Sequence, residues 1–256
     1  MSRTKPPPGT QSVRRAIALL KAFTGDTPEM SLAELTEAVG LARTTAHRLL
    51  SALESEGLVA RNAGGNAYRL GPAAIALGSR ALRSNDLRAV ARPYLAEMAE
   101  TSGETATLAV LADRRVLIID EVLSQHLLGT GPSIGTSYPL HVTATGKAIL
   151  AAMDETRRGA VLPERLERIG PAAIEDPGEL DADIRRTRRR GYAVAVEELE
   201  EGFAAVGAAI HDPTGEVTAA VSLGGPSTRL VDNLERLGEL CREVAARISG
   251  SLGYES

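Results

Sequence analysis

Residues 31–57 read SLAELTEAVGLARTTAHRLLSALESEG, and this stretch decides the fold of the N-terminal part of the chain. Ser31 and Glu34 have the S-x-x-E spacing of a capping box, which predicts the start of a short helix. Gly40 stands where a tight turn needs a residue that tolerates positive φ. A longer helix follows, from about residue 42 to residue 56, and its apolar residues recur on one face: Ala46, Leu49, Leu50 and Leu53. The pattern is typical of a helix-turn-helix.

The flanking segments complete a winged helix-turn-helix. Apolar residues at helical spacing between Ser12 and Phe23 predict a helix before the quoted stretch. After it, LVARN and AYRL, separated by the turn AGGN at residues 63–66, predict a short β-hairpin.

The longer helix has an outward face without acidic residues. Its apolar stripe turns a polar set toward solvent, with Thr45 at the edge of this face: Arg43, Thr44, His47, Arg48 and Ser51. Residues 1–70 hold nine Lys/Arg and six Asp/Glu (+3), whereas the other residues hold 20 and 27 (−7), in a chain of net charge −4. A basic N-terminal part predicts a polyanionic partner.

An α-helix fits the DNA major groove, so these side chains are candidates for base and phosphate contacts. In the hairpin, four further residues are candidates for phosphate contacts: Arg61, Asn62, Tyr68 and Arg69. A winged helix that binds protein, or a merely solvated helix, remains the alternative.

The remainder predicts a second, α+β domain with a mostly antiparallel sheet. TATLAVLA (105–112) and RVLIIDEV (115–122) form a predicted hairpin, and further strands are expected at 192–196, 204–211 and 216–223. The expected organisation is a disordered tail (1–10), a winged helix-turn-helix (11–71), a linker helix (72–86) and a ligand domain (87–254). Pro93 should kink its helix or mark the helix's first turn.

Composition excludes several classes of protein. The 256 residues are 43% hydrophobic with no Trp, 3% aromatic residues and one Cys, and they show no signal peptide or membrane-length apolar run. We expect a soluble, cytoplasmic protein without intrachain disulfides, and Cys241 as a buried small hydrophobe. The scarcity of aromatic residues argues against a large aromatic-lined catalytic or sugar-binding surface.

Several motifs invite site assignments. Gly146-Lys147 lacks the Gly at 141 and the Ser/Thr at 148 of a phosphate-binding loop. Thr143, Thr145 and the free N–H groups of the helix they begin form either an anion site or an ordinary N-cap. His126, His141 and His211 lack metal-ligand spacing, so no metal or other cofactor is predicted. RRTRRRG (185–191) is interpreted as a solvated helix end rather than a nucleic-acid patch.

Six collinear segments resemble the IclR family of transcriptional regulators. SVRRAIALLKAF, the stretch SLAELTEAVGLARTTAHRLLSALESEGLVARN and NAYRLGPAAIALG resemble its DNA-binding domain. LHVTATGKAILA, RRRGYAVAVEELEEGFAAVGAAI and AAVSLGGP resemble its effector-binding domain. The resemblance implies a winged helix-turn-helix, a linker helix and a GAF-like α/β effector-binding domain. It also implies homodimers or homotetramers that bind inverted or repeated half-sites in double-stranded DNA.

The resemblance places the effector pocket beside the helix that begins near residue 144, with contributions from two later segments. The candidate effector-binding residues are His141, Thr143, Ala144, Thr145, Gly146, Ala195, Val196, Glu197, Ala205, Ser222 and Gly224.

The chain departs from the family in that region. Ala195-Val196 and Ala204-Ala205 stand where the family usually has polar residues, and Gly224 replaces a second serine. Fewer polar partners disfavour a small hydrophilic acid, because its hydrogen bonds would be lost. We therefore expect an effector that is bulkier and more apolar than a two- or three-carbon oxoacid, such as an aromatic acid or a neutral ring compound.

The leading hypothesis is a ligand-responsive DNA-binding regulator, a repressor rather than an activator, without catalytic residues. The alternatives are a small-molecule-binding enzyme with a regulatory winged helix, and a scaffold that uses the winged helix for protein contacts. Against an enzyme, the sequence offers no Ser-His-Asp order and no metal cluster, and Glu197-Glu198 would point to opposite faces of a strand.

Overall fold

The computed structural model of the chain describes residues 10–24, 27–124 and 133–254. It divides into two compact units, Met1–Ser84 and Asn85–Ser256, which we describe separately. Most of the tail expected at residues 1–10, and His126, lie outside the described residues.

The N-terminal unit is a helix-turn-helix with a small sheet, as predicted. Its helices are α1 (Gln11–Ala22), α2 (Leu32–Val39), α3 (Arg43–Ser55) and α4 (Pro72–Arg83), and its strands are β1 (Glu29–Ser31), β2 (Val59–Arg61) and β3 (Ala67–Leu70). The antiparallel sheet has the order β1-β3-β2. Strand β1, which the sequence pattern did not predict, pairs with the outer side of the hairpin and makes it a three-stranded wing.

The ends of α2 follow the sequence signals. Ser31 Oγ accepts from the Glu34 N–H at 3.3 Å, and Glu34 Oε2 accepts from the Ser31 N–H at 2.7 Å, which completes the capping box. Gly40 adopts a φ of 64°, a left-handed conformation that ends α2 and allows the turn into α3.

The core of this unit fixes the orientation of α3. Its buried residues are Leu19, Phe23, Leu35, Ala46, Leu50, Leu53, Val59 and Tyr68, with Leu49 partly buried against them. The predicted apolar face of α3 is therefore its inward face. Helix α1 differs from its apolar pattern, because Val13 is 60% and Ile17 is 46% exposed.

The C-terminal unit is an α+β domain whose six-stranded sheet is antiparallel throughout. Its helices are α5 (Asp86–Ser102), α6 (Ala144–Ala152), α7 (Glu155–Val161), α8 (Pro177–Arg190), α9 (Ser227–Leu230) and α10 (Leu234–Ser251). Its strands are β4 (Thr105–Ala112), β5 (Arg115–Val122), β6 (Ser137–Pro139), β7 (Ala193–Val196), β8 (Phe203–His211) and β9 (Val217–Pro226). The sheet order is β6-β5-β4-β9-β8-β7, so sequence-distant strands β4 and β9 meet at its centre.

Pro93 and Cys241 test finer expectations. Pro93 lies inside α5 and does not mark its first turn. Cys241 is fully buried, and this burial raises the pKa of its thiol to about 12. Cys241 is thus the inert hydrophobic residue that its position in α10 predicts.

Two glycines allow close backbone approaches around the start of α6. A Cβ on Gly146 would lie 2.2 Å from the carbonyl oxygen of Leu140, in the turn that precedes α6. A Cβ on Gly207 of β8 would lie 3.2 Å from the carbonyl carbon of Ala144, so a glycine here lets the N-terminus of α6 lie close to the sheet.

Candidate DNA interface and ligand cavity

The outward face of α3 is a polar, positively charged surface. Arg43, Thr44, His47, Arg48 and Ser51 are exposed, and Thr45 is half-buried at the edge of the face. Neither Arg43 nor Arg48 makes an ion pair with another residue in the described ranges. Both guanidinium groups are thus available to an external anion.

The N-terminus of α3 adds to this potential. Its first turn contains no acidic residue, and Ala42 at the N-cap has no side chain that could occupy the free N–H groups. Free N–H groups and the helix dipole together favour a negatively charged ligand such as phosphate.

Some side chains of the wing that were predicted to contact phosphate are available for it, whereas others are engaged within the protein. Arg69 is exposed on β3. Arg61 is exposed too, but it pairs with Glu54 at 3.3 Å and lies over the Tyr68 ring at 4.8 Å. Asn62 is used within the wing: its Nδ2 donates to Glu29 Oε2, and its Oδ1 accepts from the N–H groups of residues 66 and 67.

Tyr68 was expected to contact phosphate, and the structure corrects this. Its side chain is only 3% exposed and belongs to the core of the N-terminal unit. The physical reason is strand alternation: on β3, Arg69 points outward, so the neighbouring Tyr68 must point inward.

A cavity of about 390 Å³ lies in the C-terminal unit where α6 begins. Its walls come from all six strands of the sheet, the N-terminus of α6 and the segment after β7. Seven predicted residues line it: Thr143, Ala144, Thr145, Ala195, Ala205, Ser222 and Gly224. The structure thus brings together three chain segments that the sequence could only associate through the family resemblance.

Four predicted pocket residues do not line this cavity. His141 is buried, and its Nε2 lies 2.9 Å from the Glu167 carbonyl oxygen. Gly146 faces the Leu140 backbone. Val196 is the last residue of β7, and Glu197 has a φ of 55° and uses its Oε1 to accept from the Gly202 N–H and the Ser227 hydroxyl. These residues shape the cavity wall from behind.

Some polar groups of the cavity already make internal hydrogen bonds, whereas others are available to a ligand. Thr143 Oγ1 accepts from the Gly146 N–H at 3.1 Å, so Thr143 is an N-cap. Glu121 accepts from the backbone N–H and hydroxyl of Ser133. The hydroxyl groups of Thr145 and Ser222 make no hydrogen bond within the described part of the chain, so they can bind a ligand.

Phe203 forms an apolar wall of the cavity, which the sequence patterns did not reveal. A Cβ on Gly224 would lie 2.7 Å from Phe203 Cζ, so the ring occupies the space that a side chain at 224 would take. Gly224 and the placement of Phe203 are therefore one feature. Together they give this side of the cavity an aromatic surface.

Lys147, the residue that suggested a phosphate loop, is an internal ion-pair partner. It is 1% exposed, and its Nζ lies 2.6 Å from Glu198 Oε1 and 2.8 Å from Asp183 Oδ2. Burial raises the pKa of Glu198 and opposes the attraction of Lys147. Burial also opposes ionisation of Asp183, but Lys147 and Arg186 together hold the pKa of Asp183 below its usual range.

Comparisons with known proteins identify the two units. The model of the IclR helix-turn-helix domain matches residues 12–63, and that of the bacterial transcriptional regulator IclR C-terminal domain matches residues 79–250.

The chain belongs to the IclR family of transcriptional regulators.

Full-length relatives agree with this assignment. The transcriptional repressor IclR of Escherichia coli strain K12 is 32% identical over 247 residues, which cover 95% of this chain and 90% of that protein. The crystal structure of an IclR transcriptional regulator from Alicyclobacillus acidocaldarius is 31% identical, with a TM-score of 0.82 over 94% of this chain and 98% of that one. An IclR homologue from Microbacterium hydrocarbonoxydans, crystallised with 4-hydroxybenzoate, is 27% identical, with a TM-score of 0.77 over 94% and 98% of the two chains.

Membership of the IclR family means that the chain is a transcriptional regulator and not an enzyme. The described residues contain no cluster of three His, Cys, Asp or Glu side chains that could hold a metal ion. None of the described helices is long and apolar enough to cross a membrane.

The basic segment RRTRRRG ends α8, as predicted, but not all of it is solvated. Arg188 donates to the carbonyl oxygens of Ala151 and Met153, and Arg190 donates to that of Tyr192. These arginines hold the end of α8 against the chain.

Proposed function

We propose that this IclR-family regulator binds a palindromic operator through α3 as a homodimer or homotetramer, and that an aromatic or otherwise apolar metabolite controls it. Repression is the expected direction, as in the Escherichia coli relative. Its place of action is the cytoplasm, where the operator is.

The observation that carries the proposed effector class is the apolar surface in the cavity wall. Ala144, Ala195, Ala205 and the Phe203 ring form an apolar surface in the cavity, and the hydroxyls of Thr145 and Ser222 can bind a polar group of the ligand without breaking an internal bond. Burial of apolar ligand surface contributes roughly 25 cal/mol per Å². A volume of about 390 Å³ suits a substituted aromatic ring better than a two-carbon acid. The related protein with 4-hydroxybenzoate supports this choice.

Calorimetric titration of the full chain tests the effector class. The probes are 4-hydroxybenzoate and phenol, with glyoxylate and pyruvate as the small hydrophilic comparison. We expect saturable binding of an aromatic probe, and weaker binding by Thr145→Val because this variant removes a cavity hydroxyl while keeping the side chain's shape. Tight binding of glyoxylate or pyruvate without uptake of either aromatic probe would refute the proposed effector class.

The proposed operator contact rests on the exposed, unpaired arginines of α3. The test is a gel shift with DNA upstream of the gene and its neighbours, at several salt concentrations. We expect Arg48→Ala to weaken binding about tenfold or more, because an Arg–base pair contributes about 1–3 kcal/mol. If Arg48 contacts phosphate instead, the slope of log affinity against log salt should fall by about 1.

The matched control is Arg236→Ala, which removes the same charge from the exposed surface of α10. Arg48→Ala and Arg236→Ala should both retain the melting temperature of the parent chain. Unchanged affinity in Arg48→Ala would show that α3 does not bind the operator.

The proposed oligomer rests on exposed apolar residues of the N-terminal unit. Val13 and Ile17 lie one turn apart on α1, and Ile75 and Leu77 of α4 are 68% and 55% exposed. Apolar side chains grouped on helices are typical of a subunit contact. Analytical ultracentrifugation should show a dimer or tetramer that Ile75→Glu weakens; a monomeric parent chain would contradict the proposal.

A further inference from the structure

A second, larger cavity lies in the C-terminal unit, away from the ligand cavity described above. It has a volume of about 580 Å³ and lies between α6, the end of α8, β8 and α10. The two cavities share no lining residue. It therefore forms a separate compartment of the same domain.

Small residues create this space. Six alanines line it, namely Ala148, Ala151, Ala152, Ala208, Ala209 and Ala246, together with Gly191 and Gly250. The edge of β8 is open at the same place, because β7 pairs with β8 only from Ala204 to Gly207. Beyond that point the His211 N–H donates to Ser249 Oγ at 2.9 Å. Since backbone groups on alternate residues face the same side of a strand, Ala209 presents its N–H along this open edge too.

Thr187 supplies a polar group that the protein itself does not satisfy. Its side chain is only 3% exposed and lines the cavity, and its Oγ1 has no hydrogen-bond partner in the described ranges. A buried hydroxyl without a partner is unfavourable, because it has lost its hydrogen bonds to water and gained none in return. A ligand that hydrogen-bonds to Thr187 would recover that cost.

The charged side chains of the lining favour an anionic ligand. Arg188 and Arg242 line the cavity, and none of the described lining residues is an Asp or Glu. Arg242 pairs with Glu239 outside the lining, whereas Arg188 faces only carbonyl oxygens. Burial lowers the pKa of His211 and so favours its neutral form, and the ring, stacked on Tyr254 at 4.8 Å, adds a flat surface to the lining. The first cavity, by contrast, has four glutamates in its lining: Glu121, Glu198, Glu200 and Glu201.

We propose that this cavity is a second small-molecule site, which binds an organic monocarboxylate with an apolar body. The alanine-lined floor takes the apolar body, and Thr187 and the two arginines receive the carboxylate. The proposal does not depend on the identity of the effector in the first cavity, or on operator binding.

Equilibrium dialysis of the full chain with radiolabelled octanoate tests this site. We expect saturable binding that 1-octanol competes for at least tenfold more weakly than unlabelled octanoate, because the alcohol lacks the charge. Thr187→Val should weaken octanoate binding several-fold without lowering the melting temperature, since the hydroxyl has no partner to lose. Ala246→Leu, at an exposed position of α10, should weaken it about tenfold by filling the cavity.

Two matched variants separate this site from general attraction and from the first cavity. Arg242→Gln should weaken octanoate binding about tenfold, whereas Arg236→Gln, on the same helix but outside the lining, should leave it unchanged. Thr145→Val, in the first cavity, should also leave it unchanged.

Several results would overturn the proposal. These are absence of saturable binding at millimolar octanoate, equal effects of Arg242→Gln and Arg236→Gln, and binding that Thr145→Val weakens but Thr187→Val does not. A change of oligomeric state in Ala246→Leu, without octanoate binding by the parent chain, would show that a second copy of the chain fills the cavity instead.

Discussion

Replacement of Lys147 by Met tests whether the buried ion pairs beneath the ligand cavity stabilise the domain through charge or through packing. Met keeps the length of the side chain, so Lys147→Met removes the ammonium group and little volume. It leaves the carboxylates of Asp183 and Glu198 buried without their shared cation. Glu198 Oε2 already has no partner among the described residues.

Breaking a buried pair by removing one partner costs about 3–5 kcal/mol, because the charge that remains is unpaired. For a folding unit of this size, 1 kcal/mol changes the melting temperature by about 2–4 °C. We therefore expect Lys147→Met to lower the melting temperature of the C-terminal unit by about 6–20 °C at pH 7.5, measured by differential scanning calorimetry.

The pH dependence distinguishes charge from packing. In the parent chain the pKa of Asp183 is lowered, so its contribution to stability is present above the unfolded pKa and is lost as the pH falls. The pKa of Glu198 is raised, so its contribution is full at low pH and is lost as the pH rises through its folded pKa. Without Lys147, both pKa values should rise, since burial then acts without an opposing cation.

Between pH 7.5 and pH 5 the stability of Lys147→Met should therefore rise by about 1–3 kcal/mol relative to the parent chain, because Asp183 and Glu198 take up protons in the variant. Addition of Glu198→Gln to this variant should restore part of the stability at pH 7.5 and little at pH 5. An equal loss at both pH values would refute the reasoning, because a packing defect does not titrate.

Three further predictions concern single residues. Gly146→Ala should destabilise the chain by about 2–3 kcal/mol in urea unfolding, since the new Cβ would meet the Leu140 backbone. The control is Gly78→Ala, which should stabilise the chain by about 0.5–1 kcal/mol because no atom lies within 4 Å of the new Cβ. Equal effects of the two substitutions would contradict this packing argument. Arg229→Ala should lower the free energy of unfolding by about 2 kcal/mol, because it removes the bidentate hydrogen bond to buried Glu104 at 2.7 and 2.8 Å. Arg229→Lys should restore only part of this stability, since Lys cannot make the bidentate contact. Full recovery in Arg229→Lys would show that the bidentate geometry is unimportant. Cys241, with its pKa raised to about 12, should resist iodoacetamide at pH 8 in the native state and react on unfolding, as mass spectrometry would detect; native-state alkylation would disprove its burial.

Local patterns were sufficient to predict the helix-turn-helix. The capping box at Ser31, the left-handed Gly40 and the apolar face of α3 are each decided by residues within one or two helical turns. Such short-range sequence patterns predict the structure correctly because the hydrogen bonds and packing contacts they describe are themselves local. Tyr68 is the instructive failure: strand alternation with Arg69 already required the two side chains to face opposite ways.

The ligand cavity could be predicted only in part, because it depends on contacts between distant parts of the chain. Thr143 and Ser222 were found through motifs, but nothing in either motif shows that Phe203 occupies the space above Gly224. Lys147 could not be paired with Asp183 or Glu198 from the sequence, since 36 and 51 residues separate them. Only the order of strands in the sheet brings these segments together.

The position of Glu198 links the cavity to the buried ion pairs. Its side chain lines the cavity, while its Oε1 holds Lys147 on α6, and Lys147 in turn holds Asp183 on α8. A ligand that changes the surroundings of Glu198 therefore acts on a charge whose ionisation is already opposed by burial. Because Glu198 and Lys147 share one short contact, a shift in the protonation of Glu198 changes the force that joins α6 to the segment after β7.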